Sequence, residues 1–390
     1  MTPSSERWRC VGNLFLLALE SKVNKDFLAL VRLGIGTGTV SSFMFLDPID
    51  WQGVKDLAEQ QGLSAIVLDG IERLPDQQRP PQLFLLEWIG ETFHGYEYRY
   101  EQYKQTIVEL AGFYNAHGVK MMVMKGYACS LDWPKPEHRP CGDIDIWLFG
   151  RQADADAALG SWFKAQGSSQ KIDRSHHHHT VFNWGDFTVE NHYDFINIHR
   201  HKSHKGLEDI FKDLGQDDSH YVELKGASAT STGSETGSAT KVFLPSPNLH
   251  ALFLVRHALN HFASIGINLR QVLDWAFFVE KHTNEIDWKW LSGMLEKYHM
   301  MDFYNCLNAI CVEDLGFSAS IFPSVQFLPS LKDRVLADIL SPEYEVATGV
   351  KNMLKRWKGN RWKHQFCFKE NTWTAFWYGV WSHLLKPKTI

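Results

Sequence analysis

Residues 142–149 read Gly-Asp-Ile-Asp-Ile-Trp-Leu-Phe and place two carboxylates two positions apart among apolar side chains. This alternation is typical of a β-strand, whose successive side chains point to opposite faces. Asp143 and Asp145 are therefore expected on one face, with Ile144 and Ile146 directed into a core. Two neighbouring carboxylates repel each other, and a divalent cation with oxygen ligands compensates that repulsion. The segment predicts a site for Mg²⁺ or Mn²⁺, with solvated charges at a strand end as the alternative.

A third carboxylate is expected on a neighbouring strand, and Glu190 is the candidate. Residues 180–184 and 187–193 have the pattern of a β-hairpin with a short turn at Gly185 and Asp186. Within the second of these strands, Glu190 lies on the same face as Thr188 and His192. Three carboxylates on adjacent strands suit phosphoryl transfer with two metal ions about 3.5–4 Å apart.

Helical periodicity flanks this α/β segment on both sides. Residues 1–115 have apolar side chains at helical spacing, and residues 116–225 change to strand, helix, strand, helix and hairpin. Residues 226–244 are rich in Gly, Ser and Thr and are predicted to be a flexible linker. Residues 245–390 return to helical periodicity. The predicted fold class is α+β, with a small mixed sheet and its helices between N- and C-terminal helical regions.

The composition favours a packed enzyme over a disordered scaffold. The 390 residues are 44% hydrophobic and 22% charged, and 25 Phe and 15 Trp supply a sizeable core. A net charge of −5 excludes a protein-wide nucleic-acid surface and leaves only local basic patches. The six cysteines form no C-x-x-C pair and are expected to be reduced. Without a signal-peptide pattern or an apolar run of about 20 residues, we expect a cytoplasmic protein with no transmembrane segment.

Several stretches around the acidic strand together match a known pattern. They are Lys125-Gly126, Trp133-Pro134-x-Pro136, Arg139, Gly142-Asp143-Ile144-Asp145-Ile146 and Val189-Glu190-Asn191-His192-Tyr193. Residues 50–68 and 247–276 extend the likeness into both helical regions. The chain thereby resembles the bacterial family called uncharacterised nucleotidyltransferase type 5, within the DNA polymerase β-like nucleotidyltransferase superfamily. The likeness covers most of the chain.

The resemblance implies a minimal polymerase-β-like core and a specific reaction. A nucleoside monophosphate would pass from a nucleoside triphosphate, ATP among the candidates, to an acceptor hydroxyl with release of pyrophosphate. Asp143, Asp145 and Glu190 would hold Mg²⁺ or Mn²⁺, and Glu190 would also take the acceptor's proton. The acceptor stays open between a sugar, another small molecule, a lipid-linked intermediate, a protein hydroxyl and RNA.

The expected phosphate-binding turn departs from the superfamily pattern. Members usually carry Gly-Ser or Gly-Gly-Ser before the first acid, whereas this chain has Lys125-Gly126. Gly126 permits close backbone approach at a helix N-terminus, and Lys125 would replace the missing hydroxyl. Arg139 is a further candidate phosphate contact, with an ion pair to Glu190 as its alternative role.

Several histidines and one more arginine are candidates for contact with nucleotide or acceptor. His192 shares the face of Glu190, and His261 and Arg270 lie on helical faces in the C-terminal region. These last two either line the cleft or belong to a buried polar network that joins helices. Residues 176–179 are four consecutive histidines, predicted to form a polar entry into the hairpin. Their role stays open.

The C-terminal region leaves two other functions open. Residues 351–369 hold seven Lys or Arg and no acid, interleaved with aromatic residues. Such a stretch either binds single-stranded nucleic acid or forms an amphipathic helix that packs its aromatics inward. Residues 372–385 are apolar and rich in Trp, which leaves peripheral membrane contact open. The alternatives to an enzyme are a catalytically silent nucleotide-binding regulator and an RNA-binding module.

Overall fold

The computed structural model describes residues 21–40, 48–199, 201, 203–225, 239–323, 328–341, 359, 361–369, 373, 377, 380 and 381. The chain divides into two compact units. Unit 1 comprises Met1–Glu97, Asp132–Pro140 and Leu254–Lys369, and unit 2 comprises Tyr98–Leu131, Cys141–Phe253 and Glu370–Ile390. The units therefore interleave along the chain, whereas the sequence suggested consecutive regions.

Unit 2 contains a six-stranded mixed sheet. Its strands are β1 (Met122–Val123), β2 (Ile144–Trp147), β3 (His179–Trp184), β4 (Phe187–His192), β5 (Tyr221–Leu224) and β6 (Thr240–Phe243). They lie in the order β3-β4-β2-β1-β6-β5. The β2–β4 and β1–β6 pairs are parallel, and the β1–β2, β3–β4 and β5–β6 pairs are antiparallel. The predicted α+β class with a mixed sheet is confirmed, as is the hairpin.

Fourteen α-helices occur in the described part of the chain. They are α1 (Lys22–Ile35), α2 (Trp51–Gln61), α3 (Ser64–Glu72), α4 (Gln82–Thr92), α5 (Arg99–Ala116), α6 (Gly126–Ser130), α7 (Gln152–Ala165), α8 (His204–Leu214), α9 (Pro247–Ser264), α10 (Leu269–His282), α11 (Trp288–Lys297), α12 (Met301–Ala309), α13 (Pro329–Leu340) and α14 (Arg361–Phe368). A π-helical segment, Phe93–Tyr98, follows α4 and precedes α5. None of these helices is long and apolar enough to cross a membrane.

Packing in the core of unit 2 determines which face of β2 carries the carboxylates. Ile144 and Ile146 of β2 are fully buried, together with Leu110 of α5 and Leu159 of α7. Burying an Ile or Leu side chain contributes about 1.5–3 kcal/mol. A register shift of one residue would exchange the isoleucines for carboxylates, so this packing holds the acids on the opposite face. Helix α5, which the sequence assigned to the N-terminal region, thus packs in the core of unit 2.

The last residues of the predicted linker form a strand. Residues 240–243 are β6, and Val242 is fully buried in the core of unit 2. Their Gly/Ser/Thr-rich neighbours at 226–238 lie outside the described residues. The short apolar pair Val242-Phe243 is stabilised by β5 and by β1, which is distant in sequence, so local composition alone did not predict the strand.

Close backbone packing joins two helices of unit 1. A Cβ atom on Gly34 of α1 would lie 2.0 Å from the carbonyl oxygen of Ile66 in α3. A Cβ atom on Gly70 of α3 would lie 2.2 Å from the carbonyl oxygen of Leu30 in α1. Only glycine permits such contact, so these two residues set the distance between the helices.

The described part of the basic segment packs its aromatics inward. Of residues 351–369, the structure describes 359 and 361–369. The ring of Trp362 lies 5.7 Å from that of Phe262, and Phe366 lies 6.2 Å from Phe303. The buried ammonium of Lys363 donates to Asp338 at 2.5 Å. These contacts agree with an amphipathic helix. Most of residues 372–385 lie outside the described residues.

Candidate active site

Two carboxylates of unit 2 face each other across neighbouring parallel strands. Asp145 of β2 is paired in register with Glu190 of β4. Paired residues of adjacent strands direct their side chains to the same face of the sheet. Asp143 precedes β2 by one residue, and the hydroxyl of Tyr103 donates to its carbonyl oxygen at 2.9 Å. The backbone register thus places Asp145 and Glu190 on one face, as the sequence predicts, while Asp143 lies just outside the paired strands.

Asp145 is buried and bonded to two cationic groups. Its Oδ1 accepts a hydrogen bond from Lys125 Nζ at 2.6 Å and lies 2.9 Å from His192 Nε2. Burial alone would raise the pKa of this carboxyl group. The Lys125 ammonium and His192 outweigh burial and hold the pKa of Asp145 well below its usual range. Asp145 is therefore ionised at neutral pH.

Lys125 occupies a strained turn. It lies at the N-cap of α6 with φ 45° and ψ −114°, a region that side chains other than glycine rarely adopt. Burial opposes its charge, but the carboxylates of Asp145 and Glu190 raise the pKa of Lys125 overall. A non-glycine residue held in such a conformation costs about 1–3 kcal/mol and commonly marks a functional site. The Lys-Gly pair that the sequence singles out is therefore placed directly beside the acids.

Gly126 has a packing reason to be glycine. A Cβ atom there would lie 2.5 Å from the hydroxyl oxygen of Tyr103. That hydroxyl also bonds the backbone of Asp143, so the absent side chain lets Tyr103 join α6 to the start of β2. The role of Gly126 in phosphate binding stays a prediction.

Glu190 lies between two imidazole rings. Its Oε2 is 3.4 Å from His192 Nε2, and its Oε1 is 3.7 Å from His179 Nε2. Burial raises the pKa of this carboxyl group, but His192 and Lys125 lower it to below the usual value overall. Glu190 is thus a carboxylate at neutral pH, although it shares the site with Asp145.

Asp143 shows the repulsion expected of crowded carboxylates. It is exposed at the edge of the site. Partial desolvation, followed by the negative charges of Glu190 and Asp145, raises the pKa of Asp143 above its usual value. Positive charge from Lys125 only partly offsets this effect. The cluster therefore has negative charge that the described cations do not fully neutralise.

The site residues fit a divalent cation. One ligand atom from each of Asp145, Glu190 and His192 lies within 4.8 Å of the others. Carboxylate oxygens are the ligands that Mg²⁺ and Mn²⁺ prefer. The uncompensated charge on Asp143 favours a cation at this position. His192 adds an imidazole nitrogen to the predicted set of three carboxylates.

Arg139 forms a closed ion pair within unit 1. Its Nε and Nη2 donate to the two oxygens of Asp274 in α10, at 2.8 and 2.9 Å. The indole N–H of Trp133 also donates to Asp274, at 2.9 Å. The sequence suggested phosphate contact or a pair with Glu190, and the structure pairs the guanidinium with Asp274.

The remaining predicted contacts also lie in unit 1. His261 of α9 has its ring 4.2 Å from that of His257, one helical turn earlier. Arg270 of α10 packs beside Gly62. Their contact with nucleotide or acceptor stays a prediction.

One site residue lies in the histidine run, for which the sequence predicted no fixed role. His179 is the first residue of β3 and is paired in register with His192 of β4. A two-residue hairpin turn fixes this register. Counting back from Gly185 and Asp186 would therefore have placed His179 opposite His192.

Comparison with known proteins places the chain among nucleotidyltransferases. A family model described as uncharacterised nucleotidyltransferase matches residues 47–315. Among solved structures, the chain is similar to an antigenic nucleotidyltransferase-like protein from Paracoccidioides brasiliensis, with 14% sequence identity and a TM-score of 0.30. That similarity covers 57% of this chain and 96% of the other. No curated protein gives a significant match.

Proposed function

Since the chain belongs to the family of uncharacterised nucleotidyltransferases, we propose that it transfers a nucleoside monophosphate to an acceptor hydroxyl in a reaction dependent on Mg²⁺ or Mn²⁺. The donor is a nucleoside triphosphate, with ATP among the candidates. The acceptor oxygen bonds to the α-phosphorus, the bond from that phosphorus to pyrophosphate breaks, and the acceptor's proton passes to a base. The observation that carries this proposal is the in-register pairing of Asp145 with Glu190, with Asp143 beside them.

The side chains divide the work according to their environments. Asp143, Asp145 and Glu190, with His192, would hold the divalent cation, which when bound neutralises triphosphate charge and lowers the pKa of the acceptor hydroxyl. Glu190 is the proposed proton acceptor, because it is ionised at neutral pH and is paired in register with Asp145.

Lys125 is the phosphate contact in this proposal. Its ammonium is 2.6 Å from Asp145 Oδ1 and is held there by a strained backbone. Lys125 is positioned to exchange its bond with Asp145 for a bond to a phosphate oxygen. A buried ammonium of raised pKa stays charged throughout that exchange, as a phosphate contact requires.

Thermal stability with nucleotides tests the proposal without knowledge of the acceptor. Wild type is compared with Asp143→Asn and Glu190→Gln in each nucleoside triphosphate, with and without Mg²⁺ or Mn²⁺. Asp186→Asn, in the exposed turn of the same hairpin, is the matched control. Asp145→Asn is a poor choice, because it leaves Lys125 and His192 buried without their counterion.

A native-state ligand raises the melting temperature by mass action. We expect a metal-dependent rise in wild type and Asp186→Asn that is lost in the two site variants. The triphosphate that gives it is then incubated with candidate acceptors, and pyrophosphate release is measured. No rise with any triphosphate at millimolar concentration would contradict the proposal.

A catalytically silent nucleotide-binding regulator is the second candidate, and one observation favours it. Lys125 and His192 already offset the charge of Asp145 without a metal ion. Such a protein would bind nucleotide equally well with and without divalent cations, and Asp143→Asn would leave that binding unchanged. The same melting experiment therefore separates the two candidates.

The RNA-binding alternative rests on the basic segment. In its described part, Trp362 and Phe366 are packed against other aromatic rings, which occupies the faces that bases would stack on. RNA binding that survives Asp143→Asn and falls steeply with salt would support this alternative.

A further inference from the structure

Three histidines form a second group of ligands beside the carboxylates. One ring nitrogen from each of His178, His179 and His192 lies within 4.8 Å of the others. The ring centroids of His178 and His179 are 4.3 Å apart, and those of His179 and His192 are 5.3 Å apart. The hairpin register places His179 opposite His192. The backbone carbonyl of His178 accepts N–H bonds from Tyr193 and Asp194, which fixes the main chain of His178 beside the end of β4.

His179 is a buried imidazole with unmet hydrogen-bonding capacity. Its relative exposure is 5%, and both ring nitrogens are buried with no hydrogen-bond partner. Its nearest carboxylate oxygen, on Glu190, is 3.7 Å away, which is beyond hydrogen-bond distance. Leaving a buried polar group unpaired costs about 1–3 kcal/mol. A cation that accepts the lone pair of a ring nitrogen would remove that cost.

The ring of His192 has an outer hydrogen-bond partner. Its Nδ1 lies 3.2 Å from the carbonyl oxygen of Asp194. Such a contact is the usual way in which a metal-binding imidazole is oriented.

We propose that His178, His179 and His192 bind a divalent transition-metal cation, for which Zn²⁺ is the probe. Three imidazole nitrogens that leave further positions open match the donor set of zinc sites with a free coordination position, and any ring proton is released when the metal binds. Mg²⁺ prefers oxygen ligands and is not expected at this group. This site shares His192 with the carboxylate group but does not depend on the proposed function, since a catalytically silent protein would bind the same cation.

Metal binding is measured directly on the full chain, freed of any affinity tag. The protein is dialysed to equilibrium against micromolar Zn²⁺, and bound zinc is counted by atomic emission. The test variant is the double substitution His178→Gln and His179→Gln. The control is His177→Gln, which removes a histidine of the same run that does not belong to the group. We expect one zinc ion per chain in wild type and control, and binding weaker by at least about tenfold in the double variant.

Two further measurements make the result decisive. Without metal, the double variant should melt at or above the temperature of wild type, because neither ring nitrogen of His179 has a hydrogen bond to lose. This result excludes misfolding as the reason for lost zinc. Asp143→Asn should bind zinc as wild type does, even though it loses any Mg²⁺-dependent nucleotide effect. Zinc binding that is retained in the double variant, lost in His177→Gln, lost in Asp143→Asn or absent from wild type would each overturn the proposal.

Discussion

Two charged clusters in this molecule contain similar groups but differ in how completely those groups are satisfied. In unit 1, both oxygens of Asp274 accept hydrogen bonds from Arg139, and Trp133 adds a third. In unit 2, the Lys125–Asp145 pair lies among further carboxylates and imidazoles. The first cluster contains one acid and one guanidinium, so its charges balance.

The second cluster retains conflicts that folding alone would not favour. Asp143 has a raised pKa, His179 has unpaired ring nitrogens, and Lys125 has a left-handed backbone conformation. A closed network stabilises a fold by itself, whereas conflicts of this kind are expected where a ligand completes the set. We therefore infer that the first cluster stabilises the fold and that the second belongs to the proposed site.

The largest change in stability is expected from breaking the Arg139–Asp274 ion pair of unit 1. Asp274→Ala leaves the buried guanidinium of Arg139 without its counterion, which typically costs about 3–5 kcal/mol. We expect a marked loss of stability in urea or thermal unfolding of unit 1. Glu280→Ala, at an exposed position of the same helix, should change stability by less than about 0.5 kcal/mol. Equal effects of the two substitutions would break the comparison.

Glu208 of α8 extends the comparison, because its carboxyl oxygens accept hydrogen bonds while burial disfavours its negative charge. The backbone N–H groups of Phe195 and Ile196 each donate to one of its oxygens at 3.0 Å. Burial nevertheless raises the pKa of Glu208 to about 8. Its folded-state pKa lies above the unfolded value, so its protonation favours the folded protein, and this contribution is lost as pH rises toward 8.

Between pH 5 and pH 7, we therefore expect wild type to lose on the order of 2 kcal/mol relative to Glu208→Gln. The measurement is the melting temperature of both proteins across that range. The glutamine variant should be less stable at pH 5, because its amide has one acceptor oxygen where the carboxyl group has two. The pH dependence of stability that Glu208 contributes should be absent from this variant. Parallel pH profiles would show that the two backbone bonds outweigh burial.

The sequence predicted much of the fold, because its periodicities are local. The alternation of acids with Ile144 and Ile146 predicted the strand and its buried face, and the Gly185-Asp186 turn predicted the hairpin. Strand β6 was missed, because its pairing with β1 joins segments more than 100 residues apart. Composition carries no signal for such a contact.

The candidate site was predictable to the extent that it follows strand geometry. Asp145 and Glu190 were expected on one face, and their register pairs them directly. The partners of the basic residues were not predictable, because they depend on tertiary packing. Arg139 pairs with Asp274, which is 135 residues away. Lys125 bonds Asp145 from a turn whose unusual backbone angles are not indicated by any local sequence pattern.

The strain at Lys125 is tested by comparing two small replacements. Both Lys125→Ala and Lys125→Gly remove the ammonium that pairs with Asp145, but only glycine adopts φ 45° without strain. We expect the glycine variant to be more stable than the alanine variant by about 1 kcal/mol, measured by thermal unfolding. At Lys164, exposed in the last turn of α7, the order should reverse, because glycine weakens an ordinary helix by about 1 kcal/mol. The same order at both positions would contradict a strained turn.

The smallest expected change in stability is at Asp143, and it distinguishes the cluster of unit 2 most directly from the Arg139–Asp274 pair of unit 1. Asp143→Asn removes a carboxylate that is repelled by Glu190 and Asp145, so in the absence of metal it should raise the melting temperature where Asp274→Ala lowers it. Interactions of exposed charges contribute a few tenths of a kcal/mol, which corresponds to about 1–2 °C.

The pH dependence of the difference in melting temperature between Asp143→Asn and wild type identifies its cause. Since the pKa of Asp143 is raised on folding, its protonated form favours the folded state, and this contribution is lost as pH rises through the folded pKa. The advantage of Asp143→Asn over wild type should therefore be greater at pH 7 than at pH 4, with a chelator present in both measurements. Added Mg²⁺ should then stabilise wild type and leave the variant unchanged, because a cation satisfies the repulsion that the substitution removes. A variant that is less stable than wild type without metal at pH 7 would show that Asp143, like Asp274, belongs to a closed network.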